Sequence, residues 1–383
     1  MRICLIYDCL YPYTVGGAER WYRNLAERLA GEGHEVTYLT LRQWERGERL
    51  DLDPRVRVVC VGPRMHLYTG GRRRILPPLV FGAGVLWHLL RHGRRYEVVH
   101  TCAFPYFSLL AAALARRPAG YRLLVDWFEV WSREYWLGYL GGIGGRVGLL
   151  VQRLCVRARQ HAFCFSRLHA ERLREEGVRG EVTMLAGLYN GATSPSRPRE
   201  PDPLVVFAAR LIPEKRVTAG VAAVVLAARE IPSLQAVFYG DGPERELLDA
   251  TIVEHGAGGY IAAPGFAEAE RLDADMHRAL CVLLPSEREG YGMVVIEACA
   301  HATPAVVVAA PDNAAVELVQ EGVNGEIAQS ADPQAIAAAI VRVHEAGVAI
   351  RQSTARWFEQ NAERLSVESS LRLVLAGYTR GEP

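Results

Sequence analysis

Short apolar runs alternate along the chain with longer segments in which apolar residues recur at helical spacing. The first run covers residues 3–8 and the second covers residues 36–40, and between them Trp21, Leu25 and Leu29 fall on one side of a predicted helix. A strand, a helix and a second strand in this order form a βαβ unit, whose strands are parallel. The pattern therefore predicts an α/β protein with parallel sheets.

A proline-rich stretch divides this alternation into two halves. Residues 191–203 contain four prolines and no apolar periodicity, and a new series of strands begins with residues 204–209. We interpret residues 191–203 as a linker between an N-terminal domain (residues 1–190) and a C-terminal domain (residues 204–364). Because 383 residues can hold two such domains, the predicted fold is two doubly wound, Rossmann-like domains with parallel sheets facing a central cleft.

The segment of residues 285–304 combines a predicted strand end, a glycine-rich turn and a predicted helix. Gly290 and Gly292 permit a tight turn, Glu289 lies at the strand end, in the loop, and Glu297 lies about one turn into the helix. Free amides at the helix start form an anion site. This arrangement suits a nucleotide sugar. The amides can bind its diphosphate, one carboxylate can accept hydrogen bonds from the sugar hydroxyls, and the other can accept them from the ribose hydroxyls. A capping Glu289 and a solvated Glu297 are the alternative interpretation.

Two cations follow the first predicted strand of the second half. Arg210 comes directly after this strand and Lys215 five residues later, and Lys215 is the only lysine among 44 basic residues. One guanidinium fork and one compact ammonium over a helix start can clamp a diphosphate. Ordinary surface charges are the alternative.

The spacing of Glu289 and Glu297 in PS-x-x-EGYG-x-x-x-x-EA-x-A-x-x-TP resembles the signature of retaining glycosyltransferases of family 4, which have the two-domain GT-B fold. The resemblance implies transfer of a sugar from a UDP- or GDP-linked donor to a hydroxyl acceptor, with retention and without a metal ion. It also implies that the N-terminal domain binds the acceptor and the C-terminal domain the donor. A last helix, at about residues 365–383, would cross back onto the N-terminal domain.

Site residues are implied by the same resemblance. Arg210 and Lys215 would hold the diphosphate and neutralise the leaving group, Glu289 would hold sugar hydroxyls, and Glu297 would bind the ribose. The remaining predicted donor-binding residues lie in glycine loops, on the turn before the helix and beside the base: Gly16, Gly17, Gly240, Gly242, Phe266, Gly290, Tyr291, Gly292, Met293 and Val294.

The first half departs from the family pattern at Asp126, where a histidine that contacts the transferred sugar is usual. A carboxylate there could stabilise developing oxocarbenium charge or accept a hydrogen bond from a sugar hydroxyl, so Asp126 is a catalytic candidate; a helix cap is the alternative. His100, Trp127 and Glu129 are the acceptor-binding candidates. A packed or capping histidine and plain aromatic core packing remain open for His100 and Trp127.

The net charge of +1 hides a strong asymmetry. Residues 1–200 hold 30 arginines and 18 acidic residues, whereas residues 201–383 hold 14 basic and 25 acidic residues. The basic half either attracts the acidic half across a cleft or meets an anionic acceptor or membrane surface. Residues 141–159 form a basic helix that fits either membrane contact or ordinary packing.

Eight scattered cysteines without a C-x-x-C pair indicate reduced thiols in a cytoplasmic protein, and the early strand argues against a signal peptide. Asp51-Leu52-Asp53 lies beside a proline in a predicted surface loop, so no metal or other cofactor is expected. The expected partners are a nucleotide-sugar donor and a glycan, lipid-linked or small-molecule acceptor, with no nucleic acid and peripheral membrane contact left open. A GT-B epimerase, a phosphorylase and an inactive sugar-nucleotide-binding subunit are the alternative functions.

Overall fold

The computed structural model describes residues 1–14, 16–45, 47–69 and 72–379. By its internal contacts the chain divides into two compact units. Unit 1 comprises Met1–Leu185 and the segment from Ser370 onward, and unit 2 comprises Ala186–Ser369. The predicted linker of residues 191–203 lies within unit 2, and the acceptor and donor roles of the two halves stay predictions.

Unit 1 is built on a parallel sheet of seven strands. The strands of unit 1, including two outside this sheet, are β1 (Arg2–Ile6), β2 (Glu35–Leu41), β3 (Arg57–Gly62), β4 (Tyr68–Thr69), β5 (Arg72–Arg73), β6 (Val98–Cys102), β7 (Arg122–Trp127), β8 (His161–Cys164) and β9 (Val182–Met184). Its helices up to residue 185 are α1 (Gly17–Gly31), α2 (Leu76–His92), α3 (Phe107–Ala119), α4 (Arg133–Val156) and α5 (Arg167–Glu175). β4 and β5 form a separate antiparallel hairpin.

The strand order of unit 1 is β3-β2-β1-β6-β7-β8-β9. The chain runs outward from β1 to β3 and then returns to place β6 on the other side of β1. Ligands of doubly wound sheets bind at the carboxyl ends of the strands that flank such a reversal. In unit 1 this point lies between β1 and β6.

Unit 2 repeats this architecture with a six-stranded parallel sheet. The strands of unit 2 are β10 (Leu204–Ala208), β11 (Gln235–Tyr239), β12 (Ile261–Gly265), β13 (Cys281–Leu284), β14 (Arg288–Glu289), β15 (Ala305–Val308), β16 (Asp312–Asn313) and β17 (Gly325–Ala328). Of these, β14 and β16 form a separate two-stranded pair. Its helices are α6 (Val217–Ala227), α7 (Arg245–Glu254), α8 (Ala269–Arg278), α9 (Met293–Ala300), α10 (Pro333–Leu365) and the first turn of α11 (Val367–Thr379), which continues into unit 1.

The sheet order in unit 2 is β12-β11-β10-β13-β15-β17, so the reversal lies between β10 and β13. These two strands pair at Val205 with Cys281 and at Val206 with Val282. Both faces of the sheet are covered, and strands buried on both faces read as the continuous apolar runs seen in the sequence. The predicted fold of two doubly wound α/β units is confirmed.

Candidate active site

The loops after β10 and β13 lie side by side at the carboxyl edge of the unit 2 sheet, because the two strands are neighbours. The first loop contains a short 3₁₀ turn, Pro213–Lys215, followed by Arg216 in the left-handed region (φ +50°). The amide of Glu287, in the second loop, donates a hydrogen bond to the Glu214 carbonyl at 2.8 Å. The loop after β13 is therefore fixed to the loop after β10 by its main chain.

Three ion pairs reinforce this contact, and we call the two loops together, residues 213–216 and 286–289, the loop clasp. Arg288 lies 3.2 Å from Glu214, and Arg216 lies 3.3 Å from Glu287. Between them in the first loop, the ammonium of Lys215 contacts the Glu289 carboxylate. Each basic or acidic side chain of one loop thus meets an opposite charge on the other.

Removing one charge pair from the loop clasp is expected to loosen it measurably. In a double-mutant cycle, Glu214→Gln and Arg288→Gln should couple by about 1 kcal/mol in the free energy of unfolding, because both side chains are mostly buried. The matched control is the helical surface pair Arg28 and Glu32, 3.0 Å apart, where a coupling of about 0.3 kcal/mol is expected. Equal coupling for the two pairs, measured by urea unfolding, would contradict this account.

The Lys215–Glu289 pair is the central part of the loop clasp. The two side chains are 14% and 12% exposed, and the Ser286 hydroxyl donates a hydrogen bond to the same Glu289 oxygen at 2.8 Å. Glu289 lies in β14, which pairs with β16, whereas the sequence placed it in a loop. A partly buried ammonium and carboxylate held in this way are pre-organised to meet polar groups at the sheet edge.

The predicted anion site at the start of α9 is built on Gly292. Its φ of +97° and the position of Ala315, whose Cβ would lie 2.6 Å from any Cβ at Gly292, exclude larger residues. Met293 and Val294 form the first turn of α9, and Glu297 follows one turn later; all three are partly buried.

Tyr291 has a different role from the one its position in the motif suggests. Its side chain is buried, and its hydroxyl donates a hydrogen bond to the Ala186 carbonyl at 2.5 Å. Burial raises the pKa of Tyr291 far above its ordinary value, so the hydroxyl stays a donor. Tyr291 and the preceding Gly290 can therefore offer a ligand only main-chain groups.

The glycines after β11 let its loop pack against the segment that carries Arg210. A Cβ at Gly240 would overlap the Ala209 carbonyl oxygen, and a Cβ at Gly242 would overlap that of Leu211. The Gly240 amide also donates to Gly265 at 2.9 Å. The loops after β10, β11 and β12 therefore support one another.

Arg210 and Phe266 are the exposed side chains among the residues predicted to bind the donor in unit 2. Arg210 is exposed at the end of β10, and Phe266 directly after β12 is 75% exposed. Together with Lys215 and Glu289 they follow the carboxyl ends of β12, β10 and β13, which lie within four consecutive strands of the sheet. The structure therefore brings the predicted cations, Glu289, the glycine loops and the helix start to one edge of unit 2.

In unit 1 the predicted residues His100, Asp126 and Trp127 are fully buried. The Trp21 indole donates to Asp126 Oδ2 at 2.8 Å, and His100 Nδ1 lies 2.7 Å from the Tyr378 hydroxyl. His100 Nε2 lies 2.9 Å from Asp126 Oδ1, within ion-pair distance but outside hydrogen-bond geometry. We call Trp21, His100, Asp126 and Tyr378 the buried network.

These positions agree with the packed-histidine and core-aromatic alternatives. Trp127 donates its indole N–H to Gln160 at 2.8 Å, inside the core. Burial, with a smaller effect of the Asp126 charge, raises the pKa of Tyr378 well above its ordinary value. None of the side chains of His100, Asp126 and Trp127 reaches solvent in the structure. Their placement therefore does not support the predicted contact with a sugar or acceptor, which stays a prediction.

The other predicted residues of unit 1 lie nearer the surface. Glu129 is partly buried and accepts a hydrogen bond from the Trp131 indole at 2.7 Å. Gly16 caps α1 with extended backbone, and Gly17 is the first residue of that helix. A Cβ at Gly16 would require the Glu19 carboxylate to move.

The sequence did not identify the charged neighbours of Lys215 and Glu289. The runs Glu214-Lys215-Arg216 and Glu287-Arg288-Glu289 have complementary charges, but their pairing depends on the adjacency of β10 and β13. It also missed the contact of the buried Asp8, at the end of β1, with Arg73. Among the described residues, no group of three or more His, Cys, Asp or Glu side chains is arranged to hold a metal ion.

Two family models match the chain, one for each half. Residues 16–188 match the glycosyl transferase 4-like domain, and residues 193–364 match the glycosyl transferases group 1 model. The chain belongs to the family 4-like glycosyltransferases. The resemblance to family 4, with its GT-B fold, is thereby confirmed, and retention stays a prediction.

Relatives within this family differ in the acceptors that their names state. The UDP-N-acetylglucosamine–peptide N-acetylglucosaminyltransferase GtfA subunit of Streptococcus pneumoniae is 30% identical over 171 residues, which cover 43% of this chain and 33% of that protein. The match therefore spans about a third of that relative's length. Glycogen synthase of Mycobacterium tuberculosis is 25% identical over 80% of this chain and 77% of its own length.

Solved structures show the same fold over the whole chain. Sucrose-phosphate synthase from Thermosynechococcus elongatus superposes with a TM-score of 0.81 at 19% identity, covering 98% of both chains. At this identity the likeness concerns the fold and does not identify the donor or the acceptor.

Proposed function

We propose that this protein transfers a hexose from a UDP- or GDP-linked sugar to a hydroxyl group, with retention of the anomeric configuration and without a metal ion. The main support is the loop clasp, in which the chain's only lysine meets Glu289 just before the N-terminus of α9. Family membership supports the same reaction class, since the matching family model and the GtfA relative are both named as glycosyltransferases.

The donor diphosphate would bind at the carboxyl edge of the unit 2 sheet. Arg210 and Lys215 would neutralise the charge that develops on the leaving diphosphate, and the amides from Gly290 to Met293 would bind its oxygens. Glu289 would accept hydrogen bonds from sugar hydroxyls, and Glu297 from the ribose. The glycine loop at Gly240 and Gly242 and the exposed ring of Phe266 would complete the nucleotide side.

Retention follows if the acceptor enters on the face from which the diphosphate departs. The bond between the anomeric carbon and the phosphate oxygen breaks, and a bond from that carbon to the acceptor oxygen forms. The acceptor proton passes to the departing phosphate oxygen, so no nucleophilic side chain is required. The positive charge on the sugar ring is stabilised by the diphosphate itself.

The proposed acceptor is a cell-envelope polysaccharide or glycolipid precursor, bound by unit 1 with Glu129 near it. The glycogen synthase relative acts on a polysaccharide by its name. We place the reaction in the cytoplasm, with peripheral membrane contact through the basic unit 1. Transfer to a small-molecule natural product is the alternative acceptor class.

A thermal-shift screen against UDP, GDP, ADP and CDP tests the donor site. One diphosphate, UDP or GDP, is expected to raise the melting temperature in a concentration-dependent way, corresponding to about 2.7 kcal/mol at 100 times its Kd. The matched control is Lys215→Met, in which the shift should shrink.

Product analysis with the matching sugar donor then distinguishes the reaction classes. A transferase yields free nucleoside diphosphate together with a glycoside of unchanged anomeric configuration. No shift with any nucleotide, or an epimerised donor as the product, would contradict the proposed function.

A further inference from the structure

Exposed apolar side chains are concentrated on three helices of unit 1. Of fifteen large apolar residues that are exposed in the described chain, eleven lie between Ile75 and Leu154. They occupy α2, α3 and α4 and the residue before α2: Ile75, Leu76, Leu79, Trp87, Leu90, Leu114, Leu140, Ile143, Val147, Leu150 and Leu154. Single exposed apolar residues are ordinary, but a concentration of this kind marks an interaction surface.

One stripe lies on α4, whose exposed side carries large apolar residues. After a kink at Gly141, where the backbone is not helical, its exposed members recur at intervals of three and four residues from Ile143 to Leu154, and Ile143 is 82% exposed. The buried residues of α4 are Trp136, Gly145, Gly148, Gln152, Cys155 and Val156, so its inward side is partly small and polar. A helix of a soluble domain normally buries its large apolar residues and exposes its small and polar ones.

The other two helices extend this apolar surface. The connections through α2, α3 and α4 all run in the same direction along the sheet, from β3 to β6, β7 and β8. Right-handed crossovers place such helices on one face of the sheet, and α3 packs against both α2 and α4. The exposed apolar residues of the three helices therefore belong to one face of unit 1, which we call the α2–α4 face.

The charges on this face are almost all positive. Arg146, Arg153 and Arg157 are exposed beside the α4 stripe, and Arg91 and Arg117 are exposed at the ends of α2 and α3. Within the three helices Glu134 is the one acidic residue. An apolar stripe bordered by arginines is the pattern of helices that lie in a membrane interface.

We infer that the α2–α4 face binds the surface of a bilayer that contains anionic lipids. A second copy of the chain fits the same face less well, because a symmetric contact would bring the arginines of two copies together. An anionic surface instead pairs with the arginines while the apolar side chains enter the boundary between headgroups and acyl chains. Among the described residues no helix is long and apolar enough to cross a bilayer. The inference rests on the membrane contact proposed for unit 1 and is independent of the donor site in unit 2.

Co-sedimentation of the full chain with lipid vesicles tests this surface. Binding is expected with phosphatidylcholine vesicles containing phosphatidylglycerol, should weaken with increasing salt, and should be much weaker with phosphatidylcholine alone. Ile143→Gln combined with Leu150→Gln should lower the partition coefficient by about tenfold. Replacing Arg146, Arg153 and Arg157 with Gln should lower it by about fivefold per arginine, on anionic vesicles only.

The matched control carries two exposed apolar residues of unit 2. Leu247 and Val253 on α7 are 47% and 78% exposed, and their replacement with Gln should leave vesicle binding unchanged. All variants should keep the wild-type melting temperature and the nucleotide-dependent shift, which separates this test from that of the donor site. The inference would be overturned if wild-type protein does not bind anionic vesicles, or if the unit 2 control loses as much vesicle binding as the variants of the α2–α4 face. It would also be overturned if the protein is a dimer in solution that only the variants of this face dissociate.

Discussion

Replacement of Lys215 by methionine is expected to reduce kcat/KM for sugar transfer by about 100- to 1,000-fold. Methionine preserves the length of the side chain and removes its charge, so the loss measures what the ammonium contributes to the leaving diphosphate. The position favours a large effect because Lys215 is only 14% exposed and is held at the sheet edge by Glu289. The measurement is the steady-state rate of nucleoside diphosphate release with the donor that the thermal-shift screen identifies.

The neighbouring cation provides the matched control for this prediction. Arg216 also belongs to the loop clasp and pairs with Glu287, whose side chain is 54% exposed. Arg216→Met removes one positive charge from the same loop, and a change in kcat/KM of less than about tenfold is expected, because surface ion pairs contribute little. Wild-type turnover in Lys215→Met, with melting temperatures showing both variants folded, would remove Lys215 from the mechanism.

The elements of unit 2 could be predicted from the sequence because its strands are buried on both faces. The apolar run at residues 204–209 corresponds to β10, Leu204–Ala208, and the helix predicted after the glycine-rich turn within residues 285–304 corresponds to α9, Met293–Ala300. Continuous apolar runs between glycine-rich turns identify parallel strands regardless of their order in the sheet. The strand order, and with it the pairing of Lys215 with Glu289, depends on contacts between segments 74 residues apart.

The placement of Asp126 illustrates what the sequence could not provide. A carboxylate at the end of a parallel strand has the same sequence context whether it faces a ligand or a packed neighbour. The neighbours of Asp126 come from α1 and β6, and Tyr378 joins them from α11 through His100. Such partners, separated by up to 278 residues, leave no local signal in the chain.

Substitution of Asp126 by alanine is expected to lower the free energy of unfolding by about 1 to 3 kcal/mol, the range for leaving a buried hydrogen-bonding group without its partner. The change leaves the Trp21 indole N–H without its acceptor and removes the carboxylate beside His100, in a site with no access to solvent. Urea unfolding measures the loss. Asp126→Asn keeps the size of the side chain and an oxygen for Trp21, so a smaller loss is expected.

Asp53 supplies the surface control, since it pairs with Arg55 in an exposed loop, and Asp53→Ala should leave the unfolding midpoint unchanged.

The Asp126→Asn variant also distinguishes the two possible roles of Asp126. If the carboxylate touches the sugar, kcat falls steeply while the folded protein keeps its stability. If it acts within the buried network, as its burial and contacts indicate, the folded fraction keeps a kcat near that of the wild type and stability falls instead. An alanine variant as stable as the wild type would show that the buried network does not hold α1, β6, β7 and α11 together.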